Sequence, residues 1–223
     1  DYLGALAVSL IFPLLLAPKL GLLRTSFLFG IMNASVALWT TWLFRTEIRR
    51  PGEKAIRACV VIGFLALGFL YSSAMTAWAE KGLYGDDVVH AETTPYQRLV
   101  VTRWHDDLRL YINNNLQFSS RDEHRYHESL VHPGLQTLPW ARNVLVLGGG
   151  DGLAVREILK YKNIEHVTLV DLDPAMTGLF SRSEPLVKLN QGSLKAPRVT
   201  VINDDAGRWL ETRADVYDLS LIH

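Results

Sequence analysis

Residues Asn143–Asp173 read NVLVLGGGDGLAVREILKYKNIEHVTLVDLD, and this stretch decides the fold. Val144–Leu147 is an unbroken apolar run, the pattern of a strand buried on both faces in a parallel sheet. Gly148, Gly149 and Gly150 follow it, giving a tight turn where a ligand can approach the backbone. Leu153–Tyr161 reads as a helix with Val155, Ile158 and Leu159 on one face. Val167–Val170 is a second buried strand ending in Asp171. Strand, glycine turn, helix, strand and acid, with the acid about 20 residues beyond the glycines, predict a nucleoside site in which Asp171 accepts hydrogen bonds from ribose hydroxyls. The loop departs from G-x-G-x-x-G, because Leu153 stands at the third small position. Asp151 places a negative charge inside the loop, where a pyrophosphate fits poorly. A cationic S-adenosyl compound, with its sulfonium and ammonium, fits better than NAD.

Around that centre the composition is uneven. The 223 residues are 48% apolar with a formal net charge of zero, which argues against a nucleic-acid partner. Residues 1–79 are mostly apolar, and residues 80–223 are mixed and charged. Cys59 is the single cysteine and lies in an apolar run, which leaves no disulfide framework and no cysteine-based metal site. Tyr2–Leu23, interrupted by Pro13, Pro18 and Lys19, and the uncharged runs Phe27–Phe44 and Ala58–Ala79 are candidate bilayer spans. Trp39, Trp42 and Trp78 suit interfacial positions. Arg45, Arg49, Arg50, Lys54 and Arg57 between the second and third spans point that loop to the cytoplasm by the positive-inside rule. One further crossing then places everything after Glu80 outside. The chemistry of an S-adenosyl substrate points the other way, and the expectation is a multi-pass protein of the cell membrane with a cytoplasmic catalytic domain.

Glu80–Val89 reads as a linker. Tyr96–Trp104, Leu108–Ile112 and Leu116–Phe118, separated by Asp106-Asp107 and Asn113–Asn115, predict a small antiparallel meander. Ser120-x-x-Glu123 reads as a capping box opening a helix over 121–132 that Pro133-Gly134 ends. That helix is dense in polar groups. His124 and His127 are three apart but match no zincin spacing, so the reading is a solvated face with no metal. Asp173-Pro174 reads as a helix start, Asp204 as a turn residue and Trp209 as core. Arg182, Lys188, Lys195 and Arg198 read as surface. The resulting division is 1–79 transmembrane helices, 80–94 linker, 95–120 small antiparallel β-domain and 121–223 an α/β, Rossmann-like parallel sheet of the class I methyltransferase type.

The ordered set Tyr96-Gln97, DExxYHE at Asp122–Glu128, LVH at Leu130–His132, VLVLGGGDG at Val144–Gly152, VDLD at Val170–Asp173, Asp205-Ala206 and Tyr217-Asp218 resembles the spermidine synthase (polyamine aminopropyltransferase) family. The apolar front half is similar to that family's membrane-embedded bacterial branch. The resemblance covers about Pro95 to the end. It implies transfer of an aminopropyl group from decarboxylated S-adenosylmethionine, a co-substrate and not a prosthetic group, to a diamine such as putrescine, giving spermidine and methylthioadenosine. It further implies that Gln97 and the glycines contact the nucleoside. Asp151 holds the cofactor ammonium, Asp171 binds the ribose where the family usually has Glu, and Asp205 and Ala206 line the adenine. Tyr126 and His127 face the polyamine or the transferred group. A homodimer is implied as well.

The family's base lies in D-x-x-D-P directly after the Tyr-Asp strand. Here Tyr217–Ile222 is that strand and His223 occupies the first aspartate's place, so the base is expected at or just after His223. The sequence reads as a piece of a longer protein, expected to bind nucleoside weakly and to be inactive alone. Two other readings stay open: an S-adenosylmethionine-dependent methyltransferase, and a membrane-tethered polyamine-binding protein without activity.

Overall fold

The computed structural model describes residues 2–212 and 215–223. The chain divides into two compact units after Val88. The first is helical: α1 (Tyr2–Ile11), a π-helical turn (Phe12–Leu16), α2 (Ala17–Leu20), α3 (Leu22–Leu43) and α4 (Pro51–Tyr84). The first predicted span is therefore one helical path with a π turn at Pro13, the local adjustment that accommodates a proline without a backbone N–H. Three stretches, Tyr2–Leu20, Leu22–Leu43 and Pro51–Thr76, are long and apolar enough to cross a bilayer. Their large apolar side chains point mostly outward, with Phe64, Leu70 and Trp78 well exposed. The basic cluster is shared between the turn after α3 and the first turns of α4, where Glu53 pairs with Arg50 and Arg57.

Helices α3 and α4 run antiparallel. Arg24 donates from Nε to Ser72 Oγ at 2.9 Å, Phe27 lies on Gly68, and Leu65 lies on Gly30. Close approach at the small residues Gly30 and Gly68 carries the contact. A Cβ on Gly68 would stand 2.5 Å from the Phe27 ring, whereas one on Gly63 meets nothing within 4 Å.

The second unit begins with an antiparallel sheet in the order β1 (Asp87–Thr93), β2 (Arg98–Trp104), β3 (Asp107–Ile112), β4 (Asn115–Ser119). The stretch read as a linker thus holds the end of α4 and β1. Valines at 88 and 89 set between charged residues gave too short an alternation to stand out as a strand. Asn113 and Asn114 both have positive φ, 50° and 68°, which is the tight-hairpin geometry that asparagine tolerates. The preceding turn is His105-Asp106, one residue earlier than expected. Asp107 opens β3 and is buried, because its carboxylate accepts from Ser119 and Ser120 hydroxyls and Arg109 Nε.

That bonding also undoes the capping box. Ser120 Oγ is committed to Asp107 and to the Leu108 N–H, so Asp122 takes the N-cap position of α5 (Glu123–Thr137). Pro133 lies inside α5 and does not end it. An interior proline costs about 3 kcal/mol. Burying Val131 and Leu135 on either side of it returns about 1.5–3 kcal/mol each, which is enough to carry the helix through.

A parallel sheet follows in the order β7-β6-β5-β8: β5 (Asn143–Leu147), β6 (His166–Asp171), β7 (Val199–Asn203) and β8 (Leu219–Ile222). The intervening helices are α6 (Leu153–Ile158), α7 (Pro174–Arg182), α8 (Glu184–Leu189) and α9 (Ala206–Glu211). Val144, Val146, Val167 and Leu169 pack with Ile158 and Phe180 on one side. Leu145 and Val170 pack with Trp209 on the other. Burial on both faces is why these strands read as continuous apolar runs. Arg198 is not a solvated surface residue: it donates to the carbonyls of Ile164 and Leu159 and closes the end of the α6 turn.

Gly68→Val is expected to lower the unfolding free energy of the helical unit by about 1–3 kcal/mol through overpacking. Gly63→Val is expected to leave it unchanged. Thermal unfolding of the two variants in detergent separates the outcomes.

Candidate functional site

The carboxyl ends of the parallel strands meet at one cavity of about 780 Å³. Every residue assigned to the site from sequence lines it: Gln97, Tyr126, His127, Gly148, Gly149, Gly150, Asp151, Asp171, Asp205, Ala206 and His223. Open α/β sheets bind ligands in this position.

The glycine loop explains itself at two residues. Gly148 has φ 82°, and a Cβ there would lie 2.7 Å from the His223 carbonyl oxygen. Gly150 has ordinary φ, but its Cβ would sit 2.8 Å from the Asp171 carboxylate. In its place the Gly150 N–H donates to Asp171 Oδ2 at 2.8 Å, while the Asp173 N–H donates to Oδ1 at 2.9 Å. Each Asp171 oxygen keeps a lone pair for a hydroxyl donor. Burial pushes the Asp171 carboxyl above the usual carboxylate range, and Asp151 and Asp173 add to this, against the pull of the two N–H groups.

Asp151 is buried. Its Oδ1 accepts from the Leu153 N–H at 2.8 Å, and its Oδ2 lies 3.9 Å from His223 Nε2. Asp205 spends one oxygen on the Arg208 N–H as the N-cap of α9. Asp204 accepts from Arg208 and from the Asp205 N–H. Gln97 reaches the cavity, but its amide Nε2 donates to Asp173 Oδ2 at 3.0 Å. The same oxygen accepts from Thr94 Oγ1 at 2.8 Å. Asp173 therefore does more than start α7: it ties the β1–β2 connection to the carboxyl ends of the parallel strands. The Asp-Pro pair showed the helix start and concealed this second use.

The polar face of α5 is not solvated as a whole. His124 is exposed, but Glu123 and His127 are buried. Glu123 lies bidentate on Arg156 of α6, with Oε1 to Nη1 at 2.8 Å and Oε2 to Nη2 at 3.0 Å. Its Oε2 also lies 2.8 Å from His127 Nδ1. Glu157 adds pairs with Arg156, Lys160 and His132. Nothing in sequence linked residues 123 and 156, since Glu123 read as a cap and Arg156 as part of a helix face.

Two groups bring possible metal ligands within 4.8 Å: His127 with Asp151 and His223, and Glu128 with His132 and Glu157. In the first, His127 Nε2 and His223 Nε2 already face one another at 3.0 Å. In the second, Glu157 is already held by Arg156 and Lys160.

Burial raises the Glu123 carboxyl, but the hydrogen bonds from His127 and Arg156 and the Arg156 charge outweigh it and bring it from 4.5 to about 2. A depressed carboxyl contributes stability above its unfolded value, and that contribution is lost as pH falls through the folded value. Breaking a buried pair costs about 3–5 kcal/mol, so Glu123→Gln is expected to be that much less stable at neutral pH. The gap to wild type should close between pH 4.5 and about 2. Urea unfolding of both proteins against pH measures it, and a pH-independent gap would contradict the assignment.

Residues 123–222 match the spermine/spermidine synthase domain family. The chain is 62% identical over 226 residues to polyamine aminopropyltransferase 2 of Ralstonia nicotianae, covering 100% of this chain and 44% of that protein. It is 54% identical over 222 residues to a polyamine aminopropyltransferase of Leptospira interrogans, covering 100% of this chain and 45% of that protein. The chain thus spans less than half the length of these relatives. Spermidine synthase from Thermotoga maritima superposes with a TM-score of 0.57 at 23% identity, over 61% of this chain and 47% of that one. The same values hold for a spermidine synthase in complex with the transition-state analogue AdoDATO. At this identity the likeness is one of fold. Residues 123–222 thus resemble the spermine/spermidine synthase domain, and the likeness to the polyamine aminopropyltransferases runs along the rest of the chain.

Proposed function

We propose that the protein carrying this chain transfers the aminopropyl group of decarboxylated S-adenosylmethionine to a diamine such as putrescine. The observation that carries this reading is the cavity's charge. Among the described residues lining it, Asp122, Asp151, Asp171, Asp173 and Asp205 face a single guanidinium, Arg125, while Glu123 is already held by Arg156. Both substrates are cations, and an acidic cleft concentrates and holds them.

In this reading Asp171 accepts the ribose hydroxyls, Asp205 and Ala206 border the adenine, and Asp151 takes the ammonium of the aminopropyl arm. Tyr126 and His127 face the amine. The neutral amine nitrogen attacks the carbon beside the sulfonium. A C–N bond forms as the C–S bond breaks, methylthioadenosine leaves as a neutral thioether, and the new ammonium gives up a proton. Holding both partners in line is the main contribution available to such a site. Intact S-adenosylmethionine adds a carboxylate, which meets Asp151 and its acidic neighbours unfavourably.

The membrane placement belongs to the same proposal. Three long apolar helices with exposed Trp39, Trp42 and Trp78 support a multi-pass anchor in the cell membrane. The intracellular origin of S-adenosyl substrates supports a cytoplasmic site. Homodimerisation is proposed from the family resemblance alone and is read by sedimentation equilibrium in detergent.

Calorimetry is expected to show decarboxylated S-adenosylmethionine binding more tightly than the intact compound. Asp151→Asn should lose most of that preference, and Gly150→Ala should weaken both ligands by displacing Asp171. Methyl transfer, or tighter binding of the intact compound, would replace this reading with a methyltransferase. Polyamine binding without product from the full-length protein would make it a binding protein.

A further inference from the structure

Arg156 does not line the cavity, yet its guanidinium is nearly saturated by buried partners. Nη1 and Nη2 hold Glu123, Nη1 also donates to the Leu189 carbonyl at 3.0 Å, and Nε donates to Glu157 at 3.0 Å. Its side chain is 9% exposed, and the Glu123 and His127 side chains are 5% and 2% exposed. A cation so enclosed cannot contact a substrate, and its effect on the site must pass through Glu123.

The geometry defines that effect. His127 Nδ1 lies 2.8 Å from two oxygens, the Glu123 backbone carbonyl and Glu123 Oε2. Both can only accept, because Arg156 holds the carboxylate ionised, so Nδ1 carries the proton. Burial lowers the His127 pKa, but the Glu123 hydrogen bonds and the Asp151 and Glu123 charges outweigh it and raise the ring above its ordinary value. Once the ring is neutral, above that value, the opposite nitrogen is a bare lone pair. That nitrogen, Nε2, points to the cavity, where it meets His223 Nε2 at 3.0 Å. Asp151 lies on the same wall. If the ring took the other tautomer, an N–H would face an incoming amine, donor against donor.

We propose that Arg156 and Glu123 form a positioning pair that fixes the His127 tautomer, so that Nε2 presents an acceptor to the amine N–H of the substrate. This rests on the aminopropyl-transfer reading for what the acceptor is used for, but not for the tautomer. Arg156 suits the task because its planar fork grips both carboxylate oxygens at once and turns the free lone pair of Oε2 toward the imidazole. A lysine ammonium, a point donor, cannot impose that orientation. The pair also joins α5 to α6, the helix that starts directly after the glycine loop, so the amine side and the nucleoside side share one clamp.

The test is side-chain 15N spectroscopy of the histidines, with steady-state kinetics on the full-length protein. At a pH high enough to remove the ring's second proton, wild type is expected to keep the remaining His127 proton on Nδ1. Arg156→Lys and Arg156→Met are expected to show mixed tautomers. They should raise KM for the diamine on the order of 10- to 100-fold while leaving KM for decarboxylated S-adenosylmethionine near wild type. A neutral ring with its proton on Nε2 in wild type overturns the proposal by itself, even should both variants fail to fold. Folded variants with unchanged tautomer and unchanged diamine KM overturn it as well. If wild type turns over no diamine, the reaction assignment fails, and the spectra still decide the positioning claim.

Discussion

The site depends on one constraint, the parallel register of β5 between β6 and β8. Leu147 pairs with Val170 on one side and with Ile222 on the other. The next residue of each strand therefore arrives at the same level: Gly148, Asp171 and His223. Strand β7 extends the line, since Asp171 pairs with Asn203, two residues before Asp205. Four chain segments far apart in sequence are delivered to one edge because parallel strands all end there. A one-residue slip of any strand would exchange its two faces, moving Val144, Val146, Val167 and Leu169 away from Ile158 and Phe180 and toward the Trp209 side, so the register is strongly held.

The second organising element is electrostatic. Carboxylates drawn out of water are costly unless bonded, and this unit handles its buried acids in two ways. Glu123 and Glu157 are neutralised by Arg156 and Lys160 between α5 and α6. Asp171 and Asp173 receive N–H and O–H donors without a full countercharge. The first set behaves as a structural clamp. The second is left negative at the cavity.

How much of this was legible in sequence follows from the range of the interactions. The parallel strands were readable because burial on both faces leaves a local trace, an apolar run closed by glycines. Gly148, Asp171, Asp205 and His223 were readable because they follow strand ends, which were countable; Gln97, Tyr126 and His127 came only from the family resemblance. Pro133 misled because helix termination is a local rule, overridden here by the core contacts of Val131 and Leu135. Strand β1 was missed because its pairing partner, not its own alternation, makes it a strand. The Glu123–Arg156 contact was invisible because two charged residues 33 positions apart carry no periodic signal.

The uncompensated set is the physical ground for the proposed preference of the cavity for a cationic nucleoside. The Asp171 carboxyl is pushed up by burial and by the charges of Asp151 and Asp173, although two backbone N–H groups stabilise its ionised form. The empty cavity thus holds mutual repulsion that hydrogen bonding alone does not remove. A ligand that brings ribose hydroxyls to Asp171 and positive charge to Asp151 relieves it at both points, and the relief adds to the binding free energy of that ligand only. A ligand with the same adenosine and an added carboxylate would satisfy the hydroxyl contacts and restore the repulsion. In the proposed reading the two ligands are therefore told apart by charge.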